Sequence, residues 1–165
     1  MDRNHYGSHS LTLARHPSET DERMMVRLLA FALNASDALA FGNGLSADDE
    51  PDLWQKDLTG SIELWVDVGL PDEKLIRKAC GRANRVIVYT YGGRAAEIWW
   101  GQSRPKLEKA ANLVVMNIPQ ESTRALAELA QRSMQLQCII QDGTVLFSGG
   151  DETVSVMLEQ FKAPD

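Results

Sequence analysis

Hydrophobic positions along this chain recur with two different periods, and the switches between them outline the fold. The segment HPSETDERMMVRLLAFALNA spaces Met25, Leu28, Leu29 and Ala32 along one helical stripe. Ser18 suits the N-cap, Asp21 follows in capping-box position, and Glu22 adds a second acid to the first turn. At Ile62 the period falls to two. In IELWVDV, Ile62, Leu64, Val66 and Val68 point one way while Glu63, Trp65 and Asp67 point the other, which predicts a strand. Pro71 then suits a first helical turn backed by Asp72 and Glu73, and that helix should run to about Ala83.

The rest of the chain alternates in the same manner. Residues 85–91 form a β-branched run typical of a sheet interior, and 113–118 another strand. Between them GGRAAEIWWGQSRPKLEKA reads as helix in two pieces, broken before Pro105. Residues 121–132 make an amphipathic helix. Residues 136–141, an Asp142-Gly143 turn, 144–147 and 154–158 then predict an antiparallel meander. Upstream, SLTLAR is a short strand-like piece, and residues 38–45 form a bent strand interrupted by Gly42 and Gly44. SADDEPDLWQKDLTG follows as a polar loop punctuated by Pro51. The sum is an α/β (α+β) chain: a mixed central sheet of five to eight strands, flanking helices and a C-terminal antiparallel meander.

Length and composition narrow the class. A chain of 165 residues holds one well-buried core, so a single domain over 1–165 is expected. With 44% hydrophobic and 24% charged residues it has the make-up of a globular protein. No run approaches the roughly 18 apolar residues of a spanning helix, so no membrane partner is expected. MDRNHYGSHS lacks an apolar signal core, which points to the cytoplasm. Cys80 and Cys138 stand apart, each read as a small buried apolar residue.

The net charge of −6 hides a segregation. Residues 37–73 hold ten acids and one base, whereas 74–109 hold nine bases and two acids. An acidic half beside a basic half is what a site for a cation and a phosphate backbone needs, although two solvated faces look the same in sequence.

Candidate chemistry is sparse. His5, His9 and His16 lack the further ligands of a zinc site. There is no nucleophile elbow, P-loop or G-x-G-x-x-G, so no dinucleotide cofactor is expected. Gly92-Gly93-Arg94 reads first as a connecting turn, and Trp99 and Trp100 as packing residues rather than base-stacking ones. Asp48, Asp49, Glu50 and Asp52 crowd a loop fifteen residues before Asp67, at a strand end. Convergent carboxylates can hold Mg²⁺, which activates water and offsets charge on a phosphate; an acidic loop and a strand end give the same letters.

The runs SLTLARHPSETDERMMVRLLAF, GLSADDEPDLW, IELWVDVGLPDEKLIRKA, TYGGRAAEIWW and LQCIIQDG resemble the bacterial YaeQ family in order and over nearly the whole chain. Family members carry a further strand-forming segment ahead of the position of Met1, so the resemblance implies a shortened N-terminus. It also implies a variant of the PD-(D/E)XK nuclease fold, that is, a restriction-endonuclease-like core. On that pattern Pro51-Asp52 matches the first acid and Asp67 the second, with Glu63 as an alternative second acid. Glu22 would be the helix acid that joins them on Mg²⁺. The lysine expected two residues beyond Asp67 is replaced by Gly69, and Lys78, or Lys74 behind it, is the candidate relocated lysine. Arg77 and Arg94 would meet phosphates. The implied activity is Mg²⁺-dependent cleavage of nucleic-acid phosphodiesters. The alternative is a catalytically degenerate regulator that binds nucleic acid or protein, and a third is an enzyme acting on a small phosphorylated molecule.

Overall fold

The computed structural model describes residues 5–7, 21–34, 39–42, 51–132, 137–141, 144–149 and 152–162. In chain order its elements are β1 (His5–Gly7), α1 (Asp21–Leu33), β2 (Leu39–Phe41), β3 (Leu53–Lys56), β4 (Ile62–Val68), α2 (Glu73–Arg82) and β5 (Ala83–Thr90). There follow α3 (Arg94–Leu107), β6 (Leu113–Asn117), α4 (Gln120–Arg132), β7 (Gln137–Gln141), β8 (Thr144–Gly149), β9 (Glu152–Met157) and β10 (Glu159–Lys162). A six-stranded mixed sheet runs β10-β6-β5-β4-β3-β2, and a second, antiparallel sheet runs β1-β7-β8-β9.

The apolar middle of the sequence becomes the middle of the large sheet. β4, β5 and β6 are parallel neighbours joined through α2 and α3. Both crossovers step the same way across the sheet, so connections of the usual right hand place both helices on one face. There α2 and α3 cover Trp65, Val86, Val88, Leu113 and Val115. On the opposite face α1, α4 and the second sheet enclose Val66, Val68, Ile87, Tyr89 and Val114. The strand β4 is therefore covered on both sides, and Trp65, placed by alternation among acids, is buried. Among the described residues no helix is long and apolar enough to cross a membrane.

Three features differ from the sequence reading. The stretch expected as a polar loop contains β3, which pairs antiparallel with both β2 and β4. Its turn is set by Asp57, whose carboxylate accepts from the backbone N–H groups of Thr59 and Ser61. α3 is one helix with Pro105 inside it, not two pieces. Pro105 and Gly101, whose carbonyl would have received the missing N–H, are both exposed, so water can satisfy that carbonyl. The tail also leaves the meander: β10 crosses to the large sheet and pairs antiparallel with β6. The hairpin expected around Asp142-Gly143 is present as β7 and β8, with Gln141 opposite Thr144. The turn itself, SLTLAR, His9, His16, Ser18 and the acids Asp48, Asp49 and Glu50 lie outside the described residues.

Candidate functional site

The β3–β4 hairpin brings together the two acids singled out by sequence. Leu53 pairs with Val66, and continuing that antiparallel register sets Asp52 opposite Asp67. The Asp52 side chain is only 4% exposed. Its Oδ2 accepts the Val68 backbone N–H at 2.8 Å, and its Oδ1 accepts from Arg23 Nη2 at 2.7 Å. Arg23 arrives from the first turn of α1. The carboxylate is thus clamped between a strand end and a helix start.

Asp67 sits half-buried beside this ion pair. Its Oδ2 accepts the indole Nε1–H of Trp65, two residues back on the same strand face, at 3.0 Å. Burial pushes its pKa from 3.8 up to about 6; the Asp52 charge adds to the rise, while the Trp65 hydrogen bond, a backbone hydrogen bond from Asp52 and the Arg23 charge oppose it. The arrangement is one carboxylate paired with a guanidinium, beside a second carboxyl that feels the charge of both.

The other residues expected at the site lie elsewhere. Lys78 does not join the pair. α2 buries Ile76 and Ala79, so the helical period turns Lys78 and Lys74 to the exposed side. Gly69, where a lysine was missing, has φ +103°, a backbone conformation that a lysine side chain strains. That position is reserved for the turn that leads to α2, whose N-cap Asp72 accepts from the Lys74 N–H at 2.8 Å. Glu63 lies four residues before Asp67, roughly 13 Å along the strand, and accepts from Gln55 Nε2 at 2.8 Å. Glu22 precedes Arg23 in α1, but it forms no ligand set with the two aspartates. Among the described residues no three His, Cys, Asp or Glu side chains converge to hold a metal. Arg77 pairs within its own helix with Glu73 at 2.8 Å, and Arg94 is exposed at the start of α3.

These contacts decide how well the acid pair suits Mg²⁺. That ion demands near-octahedral oxygen coordination and is held through carboxylates free to face it. Here a guanidinium already neutralises Asp52, and the second acid resists ionisation. The described residues do not fit a Mg²⁺ site. Arg23 is the residue that the sequence reading missed. A signal existed: a cation in the first turn of a helix opposes the macrodipole that favours Asp21 and Glu22, and so needs a partner outside the helix.

The tryptophans settle into packing roles. Trp99 donates its indole N–H to the Pro71 carbonyl at 2.8 Å, and Trp100 stacks on Phe161 of β10 with ring centres 5.9 Å apart. Cys80 is half-buried, and burial pushes its thiol pKa upward.

The family model described as "YaeQ protein" matches residues 1–158. An "Uncharacterized protein YaeQ" from Escherichia coli (strain K12) is 46% identical over 164 residues, 99% of this chain and 91% of that protein. The crystal structure of YaeQ protein from Xanthomonas axonopodis pv. citri superposes with a TM-score of 0.91 at 51% identity, covering 97% of this chain and 90% of that one. That of YaeQ protein from Pseudomonas syringae gives 0.86 at 36% identity, covering 93% and 84%. On these matches the chain belongs to the YaeQ family.

Proposed function

We propose that this protein is a cytoplasmic nucleic-acid-binding regulator on a scaffold resembling PD-(D/E)XK nucleases, with an acid pair that no longer cleaves. One observation carries the reading: the Arg23 guanidinium lies 2.7 Å from Asp52, where a catalytic cation would be needed. Two others support it. Gly69 is held by its positive φ, and Lys78 faces solvent on α2. The concentration of bases in residues 74–109 supplies the attraction for phosphate that a binder needs.

A second reading, the Mg²⁺-dependent nuclease, is favoured by the acid pair itself. Asp52 and Asp67 stand side by side, and a carboxyl with a strongly raised pKa is the kind of group that functional sites assemble. One experiment separates the two. Wild-type protein and Asp67→Ala are incubated with DNA and RNA in Mg²⁺, in Mn²⁺ and in EDTA, and both cleavage and retention of the nucleic acid are measured. The binding reading expects equal background cleavage by the two proteins and retention that survives EDTA. Metal-dependent cleavage lost in Asp67→Ala would overturn it in favour of the nuclease, as would binding abolished by chelation.

A further inference from the structure

We infer that the outer face of α2 and α3 is a phosphate-contact surface for duplex nucleic acid; this rests on the binding reading above and assigns it a place. The charge is local. From Glu73 to Lys109 the chain holds nine bases and three acids, within a protein whose net charge is −6. The two crossover connections put α2 and α3, which carry seven of these bases, side by side on one face of the sheet.

The burial pattern decides which side chains look outward. α2 buries Ile76 and Ala79, which turns Lys74, Lys78 and Gly81 to solvent. α3 buries Ala96, Ser103 and Leu107, which turns Arg94 and Gly101 the same way. Of the three acids, Glu73 accepts from Arg77 at 2.8 Å and from Lys106 at 3.3 Å, Glu108 pairs with Arg104 at 3.2 Å, and Glu97 is exposed on α3. Seven bases on α2 and α3 against these three acids leave the two helices net positive.

The two glycines supply an independent argument. Glycine inside a helix is less stable than alanine. A Cβ built at Gly81 or at Gly101 would meet nothing within 4 Å. Nothing inside the chain requires glycine at either place. A bare helix surface between cations does allow close approach by an extended phosphate backbone.

The aromatic residues indicate which form of nucleic acid fits. Proteins that hold splayed single strands stack bases on exposed rings. On α3, Trp99 is bonded to the Pro71 carbonyl and Trp100 is stacked on Phe161, so both are used internally. Cations without a stacking platform suit the backbone of a duplex, read by charge and shape rather than by sequence.

The test is the salt dependence of binding to a DNA duplex of random sequence, measured by fluorescence anisotropy. About four phosphate contacts give a slope of log K against log salt of about −3.6 for wild type. Lys74→Glu/Lys78→Glu is expected to bring the slope to about −2 and to weaken binding about tenfold or more at low salt. Lys74→Gln/Lys78→Gln should move it the same way, with less repulsion. Arg124→Glu, an exposed replacement on α4 across the sheet, should leave both unchanged. If wild type binds and the lysine replacements leave the slope unaltered, this surface is wrong while the binding reading stands. Tighter binding of a single strand than of the duplex would also overturn the assignment. If wild type binds no nucleic acid, both fall.

Discussion

Replacing Asp67 by asparagine is expected to stabilise the protein by an amount that grows with pH. Burial, more than any neighbour, holds the Asp67 carboxyl at about 6 against 3.8 for a free side chain. The folded protein therefore binds this proton more tightly than the unfolded chain. Below about pH 4 the group is protonated in both states and costs nothing. As pH rises through the folded value, stability is lost, and above it the whole cost is present. A displacement of about two pH units corresponds to about 3 kcal/mol, an upper figure since the site can relax around the charge. The substituted amide carries no charge, and its carbonyl can still accept the Trp65 indole N–H. Urea midpoints for wild type and Asp67→Asn from about pH 4 to pH 8 measure the difference, which should rise from near zero to about 3 kcal/mol. A gain independent of pH would refute the burial argument. So would a loss that deepens toward neutral pH.

Other consequences follow from the same contacts. Arg23→Met should cost about 3–5 kcal/mol, because Asp52 is left buried without its partner. Adding Asp52→Asn should recover part of that loss, and strictly additive effects in a double-mutant cycle by urea denaturation would contradict the pairing. Gly69→Lys, which restores the letter of the nuclease pattern, should cost about 1–3 kcal/mol from its positive φ and create no metal-dependent cleavage. A stable variant that cuts DNA would be the opposite result. Trp99→Phe should lose about 1 kcal/mol with its bond to the Pro71 carbonyl, read as a lower thermal midpoint.

Much of the fold was legible because its core strands are buried on both faces and its helices are amphipathic. IELWVDV and the run at 85–91 announce themselves through β-branched and apolar residues, and the letters Asp142-Gly143 mark in sequence the hairpin found as β7 and β8. The strand β3 was hidden since only Leu53 of its four residues is buried, so LWQK carries too few apolar letters to stand out from an acidic loop. β10 was hidden for a related reason: as an edge strand it needs Lys162, whose ammonium reaches the Leu113 carbonyl at 3.2 Å. A lysine does not advertise a strand.

The site was half legible. The resemblance matched Pro51-Asp52 and Asp67 to the two acids of one pattern, and the pairing of β3 with β4 sets them together. Which cation serves them was not readable, because Arg23 is 29 residues from Asp52 and reaches it only through the tertiary packing of α1. The direction of Lys78 was readable more simply. Helical phase, countable from Ile76 and Ala79, sends it outward.

The central claim, that Arg23 neutralises Asp52 and the acid pair holds no divalent ion, is tested most directly by calorimetric titration of Mn²⁺ into wild type and Asp52→Asn/Asp67→Asn. Indistinguishable titrations are expected, without a site that depends on these two acids. Stoichiometric Mn²⁺ binding by wild type that disappears in the double variant would contradict the claim.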